Sequence, residues 1–231
     1  MLQALKRTGK PIVMLNFSGR PVILNWENQN LDAILQVWFA GSETADAIAD
    51  VLFGKMSPSG KLTTTFPYHV GQYPMTYARF ASGRPMGETF QRFKTNYLDV
   101  PVEGLFPFGY GLSYTQFDYS PITLSDTLLD SHSTITASVT VTNSGNCDAD
   151  EIVQLYLRDN SGSVVRPIKE LKGFQRITLK KGESRRVEFL IDEPMLRFYN
   201  AQLQHVSEPG IFTLMIGPNS RDVQSLTFTL R

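Results

Sequence analysis

The side chains with the clearest chemical potential in this chain are its carboxylates. Two carboxyl groups held about 5–5.5 Å apart could serve as the nucleophile and the acid/base of a retaining glycosidase. Three acidic residues share a predicted helix at spacing i, i+3 and i+7: Glu43, Asp46 and Asp50. A row of this kind is usually the solvated face of a helix. Three more lie in a long irregular stretch and could approach a ligand: Glu88, Asp99 and Glu103. No sequence pattern pairs any of them, so none is assigned a catalytic role.

Other catalytic and ligand-binding patterns are incomplete. The glycines of Gly54–Leu62 are separated by five residues where a phosphate-binding loop has four, and Leu62 stands where Ser or Thr would bind magnesium. The GYGLSY segment lacks the third glycine of a dinucleotide fingerprint, and no G-x-S-x-G nucleophile elbow is present. The histidines have no second ligand at helical spacing: His69, His132 and His205. The sequence therefore predicts no metal and no cofactor.

Composition and charge exclude several classes of protein. Lys plus Arg number 22 and Asp plus Glu number 22, so the formal net charge is zero, which argues against a nucleic-acid partner. No apolar run approaches the roughly 20 residues that a membrane span requires. Cys147 is the single cysteine, so no internal disulfide can form. The N-terminus has no signal-peptide pattern; it is typical of the last turns of a helix ending at Gly9, which predicts a fragment.

The elements that must position any site fall into two halves. In the first half, apolar runs alternate with a helix, which predicts a mostly parallel α/β sheet. Its predicted strands are Pro11–Phe17, expected to be buried on both faces, Ala33–Phe39 and Leu62–Phe66. The predicted helix has Ser42 as its N-cap and ends at Gly54.

The second half predicts an all-β fold. Apolar residues alternate with polar ones at Ile135–Val141, Val187–Ile191, Phe212–Ile216 and Leu226–Leu230, between turns that contain glycine. The expected product is an antiparallel β-sandwich of about seven strands. The sequence thus predicts a partial α/β domain at residues 1–112, with a long loop at 67–104, followed by a β-sandwich at 113–231.

The long loop alternates aromatic and basic side chains. So long an irregular connection is unusual inside a compact domain and is often functional. Its aromatic faces could stack on sugar rings, or the loop could pack against another protein surface, and both interpretations stay open. The segment that follows it, LFPFGYGLSY at 105–114, lies between the two halves.

Six segments in series resemble glycoside hydrolase family 3, the family that contains bacterial β-glucosidases. The matching segments are residues 9–21, 33–54, 57–67, 105–117, 139–159 and 166–184. Together they cover nearly the whole chain and resemble the C-terminal portion of the family's enzymes. The resemblance implies a parent of three domains: a (β/α) barrel, an α/β sandwich and a fibronectin type III-like sandwich.

The resemblance also implies where the chemistry lies. The family's nucleophile is on the barrel, and its acid/base lies upstream of the segment matching Lys10–Pro21, so no catalytic residue is expected in this chain. The segment LFPFGYGLSY is expected to be a joint between the domains, where Gly109 and Gly111 permit a positive φ or close approach. At Gly111 we expect a positive φ. Loop 75–104 is expected to reach toward the sugar, with substrate-binding candidates Arg84, Glu88, Phe90 and Arg92.

The resemblance implies a C-terminal fragment of a β-glucosidase-like retaining hydrolase. The parent would release terminal non-reducing β-linked sugars from oligosaccharides or glucosides without a cofactor, in the periplasm or outside the cell, and the fragment alone would be inactive. A β-xylosidase or N-acetylglucosaminidase of the same family remains an alternative. So does a non-catalytic carbohydrate-binding or interaction module. If the chain starts midway through the α/β domain, the missing strands and helices would leave an unpaired sheet edge and an apolar patch, which would favour self-association.

Overall fold

Short helices and a two-stranded sheet form the first half of the molecule. The computed structural model describes residues 1–85 and 91–231. In chain order the first half contains α1 (Leu2–Lys6), β1 (Val13–Asn16), α2 (Asn25–Asn30), β2 (Ala33–Gln36), α3 (Thr44–Leu52) and a 3-10 turn (Val70–Gln72). Strands β1 and β2 pair in parallel, with Val13 opposite Ala33. In the described part of the chain, no helix has the length and apolar character needed to cross a bilayer.

Two packed sheets form the second half. Their strands are β3 (Phe117–Tyr119), β4 (Thr123–Leu124), β5 (Leu128–Leu129), β6 (Ile135–Asn143), β7 (Ala149–Asp159), β8 (Glu170–Leu179), β9 (Ser184–Ile191), β12 (Gly210–Gly217) and β13 (Gln224–Leu230), with a small hairpin of β10 (Phe198–Tyr199) and β11 (His205–Val206). One sheet has the order β5-β13-β12-β7-β8, and in the other β6 pairs with β3, β4 and β9. All these pairs are antiparallel except β5 with β13.

The sandwich core follows the alternation predicted from the sequence. Ile135, Ala137, Val139 and Val141 of β6 are all buried, and they pack in one cluster with alternate residues of β7, β9, β12 and β13. Because side chains of a strand point alternately to its two faces, this pattern buries one face of each sheet. The predicted fold class, an α/β portion followed by an antiparallel β-sandwich, is confirmed.

Two predicted details of the first half are wrong. Residues 62–66 form no strand, since only Phe66 makes a β-bridge, with Phe106. The backbone N–H groups of Leu62 and Phe66 donate instead to the carbonyls of Tyr110 and Phe106. Segment 62–66 is therefore bonded to the irregular joint and not to a neighbouring strand. Nor is Ser42 the cap of α3: the helix begins at Thr44, whose own hydroxyl donates back to the Gly41 carbonyl.

The expected burial of β1 on both faces is also wrong for this chain. Met14 packs against a small cluster with Leu24 and Phe66 at its centre. Its neighbours Val13 and Leu15 are 51% and 37% exposed, and Phe17 just beyond the strand is 54% exposed. The described residues therefore cover only one face of the strand.

Candidate functional site

The joint segment 105–114 is held by aromatic contacts on both sides. The Phe106 ring lies edge-on to Phe66, with centroids 6.2 Å apart, and stacks on Tyr110 at 5.2 Å. On the other side Phe108 stacks on Tyr77 at 4.3 Å, and Tyr77 meets Tyr156 of β7 edge-on at 5.8 Å. Phe106 and Tyr110 therefore pack toward the core of the first half, and Phe108 packs through Tyr77 toward the outer face of the sandwich.

The backbone of the joint is bonded directly to the sandwich. The Gly109 carbonyl accepts a hydrogen bond from Gln154 Nε2 at 3.2 Å, and the Phe108 carbonyl accepts one from the Ser220 N–H at 2.9 Å. Gly109 has φ +80°, and a Cβ there would collide with the Gln154 side-chain amide. The positive φ expected at Gly111 is wrong, because this glycine is required by close approach: a Cβ would collide with the Gly60 carbonyl.

A buried ion pair reinforces the joint. Lys61 Nζ donates to the Gly111 carbonyl at 2.9 Å and to Glu151 Oε2 at 3.2 Å, while the Tyr119 hydroxyl donates to Glu151 Oε1 at 3.0 Å. Burial raises the pKa of Glu151, and burial beside that carboxylate raises the pKa of Tyr119. The Glu151 side chain is only 4% exposed, so its hydrogen bonds tie the two halves together rather than reach a substrate.

The long loop is fixed to the sandwich at its base. The Arg79 carbonyl accepts a hydrogen bond from the Ile168 N–H at 2.9 Å, and Phe80 forms a β-bridge with Pro167. The Leu171 N–H donates to the Tyr77 hydroxyl at 3.2 Å. The loop therefore runs alongside the segment that leads into β8 instead of projecting freely from the joint.

A cavity of about 420 Å³ lies where loop, joint and sandwich meet. This volume is in the range of small-molecule sites, about 300–1,000 Å³. Residues from all three parts line it, among them Thr65 and Pro107, the loop residues Tyr77, Arg79, Phe80, Ser82, Thr95, Asn96, Tyr97 and Glu103, and the sandwich residues Ile168, Lys169 and Ser220. Phe80 is 61% exposed and Tyr97 is 40% exposed, so both present ring surface to solvent.

The charges in this cavity suit binding better than hydrolysis. Lys169 Nζ donates to the Ser220 carbonyl at 2.5 Å, and burial lowers the pKa of this ammonium group. Arg79 lies 3.7 Å from Glu103. Among the described residues that line the cavity, Glu103 is the one carboxylate. Glycoside hydrolysis by a retaining enzyme requires two carboxyl groups, and the described lining of the cavity supplies only one of them.

The structure describes two of the four residues predicted to bind substrate. Arg84 and Arg92 are exposed loop residues, and neither lines the cavity. Glu88 and Phe90 lie outside the described residues. Sequence reasoning missed Lys169, which the fold of the sandwich brings to the loop from a distant part of the chain. No local pattern marks this lysine in the sequence.

Two family models match the chain. The model described as "Glycosyl hydrolase family 3 C-terminal domain" matches residues 1–114, and the "Fibronectin type III-like domain" model matches residues 151–220. The first covers the α/β portion and the joint, and the second lies within the sandwich.

Known proteins resemble the chain over its whole length. The "Periplasmic beta-glucosidase" of Salmonella typhimurium is 47% identical over 231 residues, and a "Beta-xylosidase" of Formosa agariphila is 41% identical over 233 residues. A crystal structure of β-glucosidase from Listeria innocua superposes with a TM-score of 0.93 at 36% identity, covering 98% of this chain and 31% of that one.

The chain spans 30% and 31% of the length of these two curated relatives, with all of its own residues aligned. Its order of domains, an α/β portion before a fibronectin type III-like sandwich, is the order in which the two family models match. The chain therefore belongs to glycosyl hydrolase family 3, of which it carries the C-terminal domain and the fibronectin type III-like domain.

Proposed function

We propose that this chain is the C-terminal part of a β-glucosidase-like retaining glycoside hydrolase. The whole protein would release terminal non-reducing sugars from β-linked oligosaccharides or glucosides. The observation that carries this proposal is the 47% identity, over the entire chain, to a protein named as a periplasmic β-glucosidase. The same relative supports a periplasmic or extracellular location for the whole protein.

Within that enzyme the chain would form a wall of the sugar site and support it, without performing the chemistry. The single carboxylate among the described cavity residues supports an inactive isolated chain. We place the boundary between the two domains after Leu112, which the contacts of the joint with both halves support. We keep loop residues Arg84, Glu88, Phe90 and Arg92 as substrate-binding candidates, to be completed by an N-terminal barrel.

A second candidate activity is that of a β-xylosidase. The 41% identity to the Formosa agariphila protein named as a β-xylosidase favours it over the N-acetylglucosaminidase alternative. The non-catalytic carbohydrate-binding module remains a third possibility, and the cavity without a carboxylate pair is the observation that favours it.

A chimeric enzyme tests the proposed role of the chain. The aligned segment of the Salmonella typhimurium protein is replaced by residues 1–231, and the chimera is assayed on nitrophenyl β-glucoside, β-xyloside and N-acetyl-β-glucosaminide. We expect no hydrolysis by the isolated chain or by the truncated relative, and restored β-glucoside hydrolysis by the chimera. In the chimera, Arg84→Ala should raise KM, whereas Arg185→Ala, at an exposed position of β9, should leave it unchanged.

Two outcomes would contradict the proposal. One is a chimera that is folded by circular dichroism and gel filtration but inactive on all three substrates. The other is hydrolysis by the purified isolated chain that Glu88→Gln or Asp99→Asn abolishes. The natural protein that carries this chain, assayed on the same panel, decides between glucoside and xyloside as its preferred substrate.

A further inference from the structure

The cavity of about 420 Å³ has a feature that hydrolysis does not require, which is its excess of positive charge. Lys169 and Arg79 are the cations among its described lining residues, and Glu103 is the carboxylate that faces them. Glu103 lies 3.7 Å from Arg79, so it is engaged with the guanidinium. No described carboxylate lies within 4.0 Å of Lys169 Nζ, whose hydrogen-bond acceptor is the Ser220 carbonyl. The lining thus leaves about one positive charge without a counterion.

Burying that charge has a cost which a ligand could offset. A lysine ammonium taken out of water is destabilised unless an opposite charge or several hydrogen bonds replace the lost hydration. The group has three N–H donors, and the described hydrogen bond to Ser220 uses one of them. A carboxylate in the cavity would accept from the others.

The remaining lining suits a ring that carries hydroxyl groups. Phe80 and Tyr97 expose aromatic surface. The Asn96 Nδ2 donates to the Gln91 and Lys94 carbonyls, while its side-chain oxygen accepts no hydrogen bond from the described residues. The lining residues Ser82 and Thr95 are hydrogen-bonded to each other and bring two hydroxyls to the same place. Thr65 beside the cavity has a buried hydroxyl with no partner among the described residues.

We propose that this cavity binds an acidic sugar, a pyranose that carries one carboxylate. The Lys169 ammonium receives the carboxylate, Arg79 adds positive charge beside it, and the rings of Phe80 and Tyr97 contact the apolar face of the sugar. A monoanion matches the single uncompensated charge better than a phosphate dianion does. The binding takes place within this chain, so it does not depend on the hydrolytic function proposed above.

The pH dependence of binding follows from the state of Lys169. Burial lowers its pKa, and the nearby Arg79 and Arg158 act in the same direction, while Glu103 opposes them. An ammonium with a lowered pKa loses its charge at a lower pH than an ordinary lysine does. Binding of a carboxylate is therefore strongest below that pKa and weakens as the pH rises through it.

Titration of the full 231-residue chain tests the proposal. Isothermal calorimetry with glucuronate, methyl β-glucuronide, glucose, acetate and inorganic phosphate separates the contributions of ring and charge. We expect the two glucuronates to bind more tightly than glucose, acetate and phosphate. Lys169→Gln should weaken glucuronate binding about tenfold, the usual loss for a hydrogen bond to a charged group. Lys180→Gln removes the same charge from an exposed turn and should change nothing.

Further results would each decide the matter. If methyl β-glucuronide binds as tightly as glucuronate, the natural ligand is the terminal unit of a glycan. If methyl β-glucuronide binds more weakly than glucuronate, the natural ligand is the free acid. If Lys169→Gln does not fold by circular dichroism, Arg79→Gln and Phe80→Ala provide the same comparison. Equal binding of glucose and glucuronate, phosphate binding tighter than glucuronate, or glucuronate binding unaffected by these variants would overturn the proposal.

Discussion

Two structural constraints require a glycine at position 109. Its φ of +80° lies in the left-handed region, which residues with a side chain rarely adopt. In addition, its Cα faces the amide of Gln154, so that even a methyl group would collide with it. Gly182 has a similar φ of +76° in the turn between β8 and β9, but nothing lies within 4 Å of the position of its missing Cβ. A comparison of the two glycines therefore separates the cost of backbone strain from the cost of close approach.

Alanine substitution at these two glycines gives the first prediction. Gly182→Ala should lower the free energy of unfolding by about 1 kcal/mol, the cost of a left-handed residue with a side chain. Gly109→Ala should lower it by about 3 kcal/mol, since the collision with Gln154 adds the cost of overpacking. Urea denaturation of the two variants measures the difference. Equal losses of unfolding free energy in the two variants would show that the Gln154 side chain can move aside without destabilising the fold.

Residue-scale features were predicted where their cause is local. The segment LFPFGYGLSY itself indicates that its two glycines matter, because glycine permits a positive φ or a close approach that a side chain would prevent. The reason at Gly111 is not local, since the neighbour of its missing Cβ is the Gly60 carbonyl from a distant part of the chain. The position of Lys169 at the cavity has no signal in the sequence, because it depends on the 3-D proximity of Ser220 and the loop.

At the scale of elements, one side chain makes several of the contacts that hold the base of the long loop. Tyr77 stacks on Phe108, meets Tyr156 edge-on and accepts a hydrogen bond from the Leu171 N–H through its hydroxyl. Aromatic pairs contribute about 0.5–1.5 kcal/mol each beyond burial, so these contacts together are a large part of what fixes the loop base. The β-bridge between Phe80 and Pro167 lies three residues further along.

Tyr77→Ala should therefore loosen the loop selectively. We expect amide hydrogen exchange in residues 76–82 and 95–104 to become faster by on the order of tenfold, while the β6–β9 pair keeps its protection. Tyr77→Phe keeps the rings and removes the hydroxyl, so its effect should be smaller. Tyr199→Ala, at an exposed position of β10, is the matched control and should leave the loop unchanged. Exchange accelerated equally throughout the sandwich would show instead that Tyr77 supports the global fold.

The elements of the sandwich were predictable because alternation of apolar and polar residues sets both the strand and its buried face. The segment 62–66 has the same apolar character, yet its hydrogen bonds go to the joint rather than to a strand. Propensity alone cannot distinguish the two cases, because the partner decides whether a strand forms. The long loop was predicted as irregular and functional, but its attachment to residues 167–171 required the folded chain.

At the scale of the whole molecule, the two halves are unequally packed. The sandwich has one large cluster of buried side chains, whereas the cluster of the first half contains three buried residues, Leu24, Phe66 and Leu105. Large apolar side chains of the first half remain exposed, among them Phe39 at 81% and Phe53 at 87%. An exposed apolar surface on a short parallel sheet is a surface that another chain could cover.

We therefore predict that the 231-residue chain by itself associates through the first half. Symmetric pairing is the commonest way for identical chains to bury such a surface, so a dimer is the expected state. The double variant Phe17→Ser, Phe39→Ser removes two exposed rings near the ends of β1 and β2 and should shift the equilibrium toward monomer by on the order of tenfold or more. Phe174→Ser removes a ring that is 65% exposed on the sandwich and serves as the control.

Light scattering across a dilution series measures this equilibrium. The unmodified chain and the Phe174→Ser variant should show a mass that falls on dilution, and the double variant should stay closer to the monomer mass throughout. The comparison depends on location rather than on hydrophobicity, because each variant replaces exposed phenylalanine by serine. A strictly monomeric mass for the unmodified chain at every concentration would contradict the prediction, because the exposed face of β1 would then remain in contact with water. If Phe174→Ser shifted the equilibrium toward monomer as much as the double variant does, the contact would lie on the sandwich.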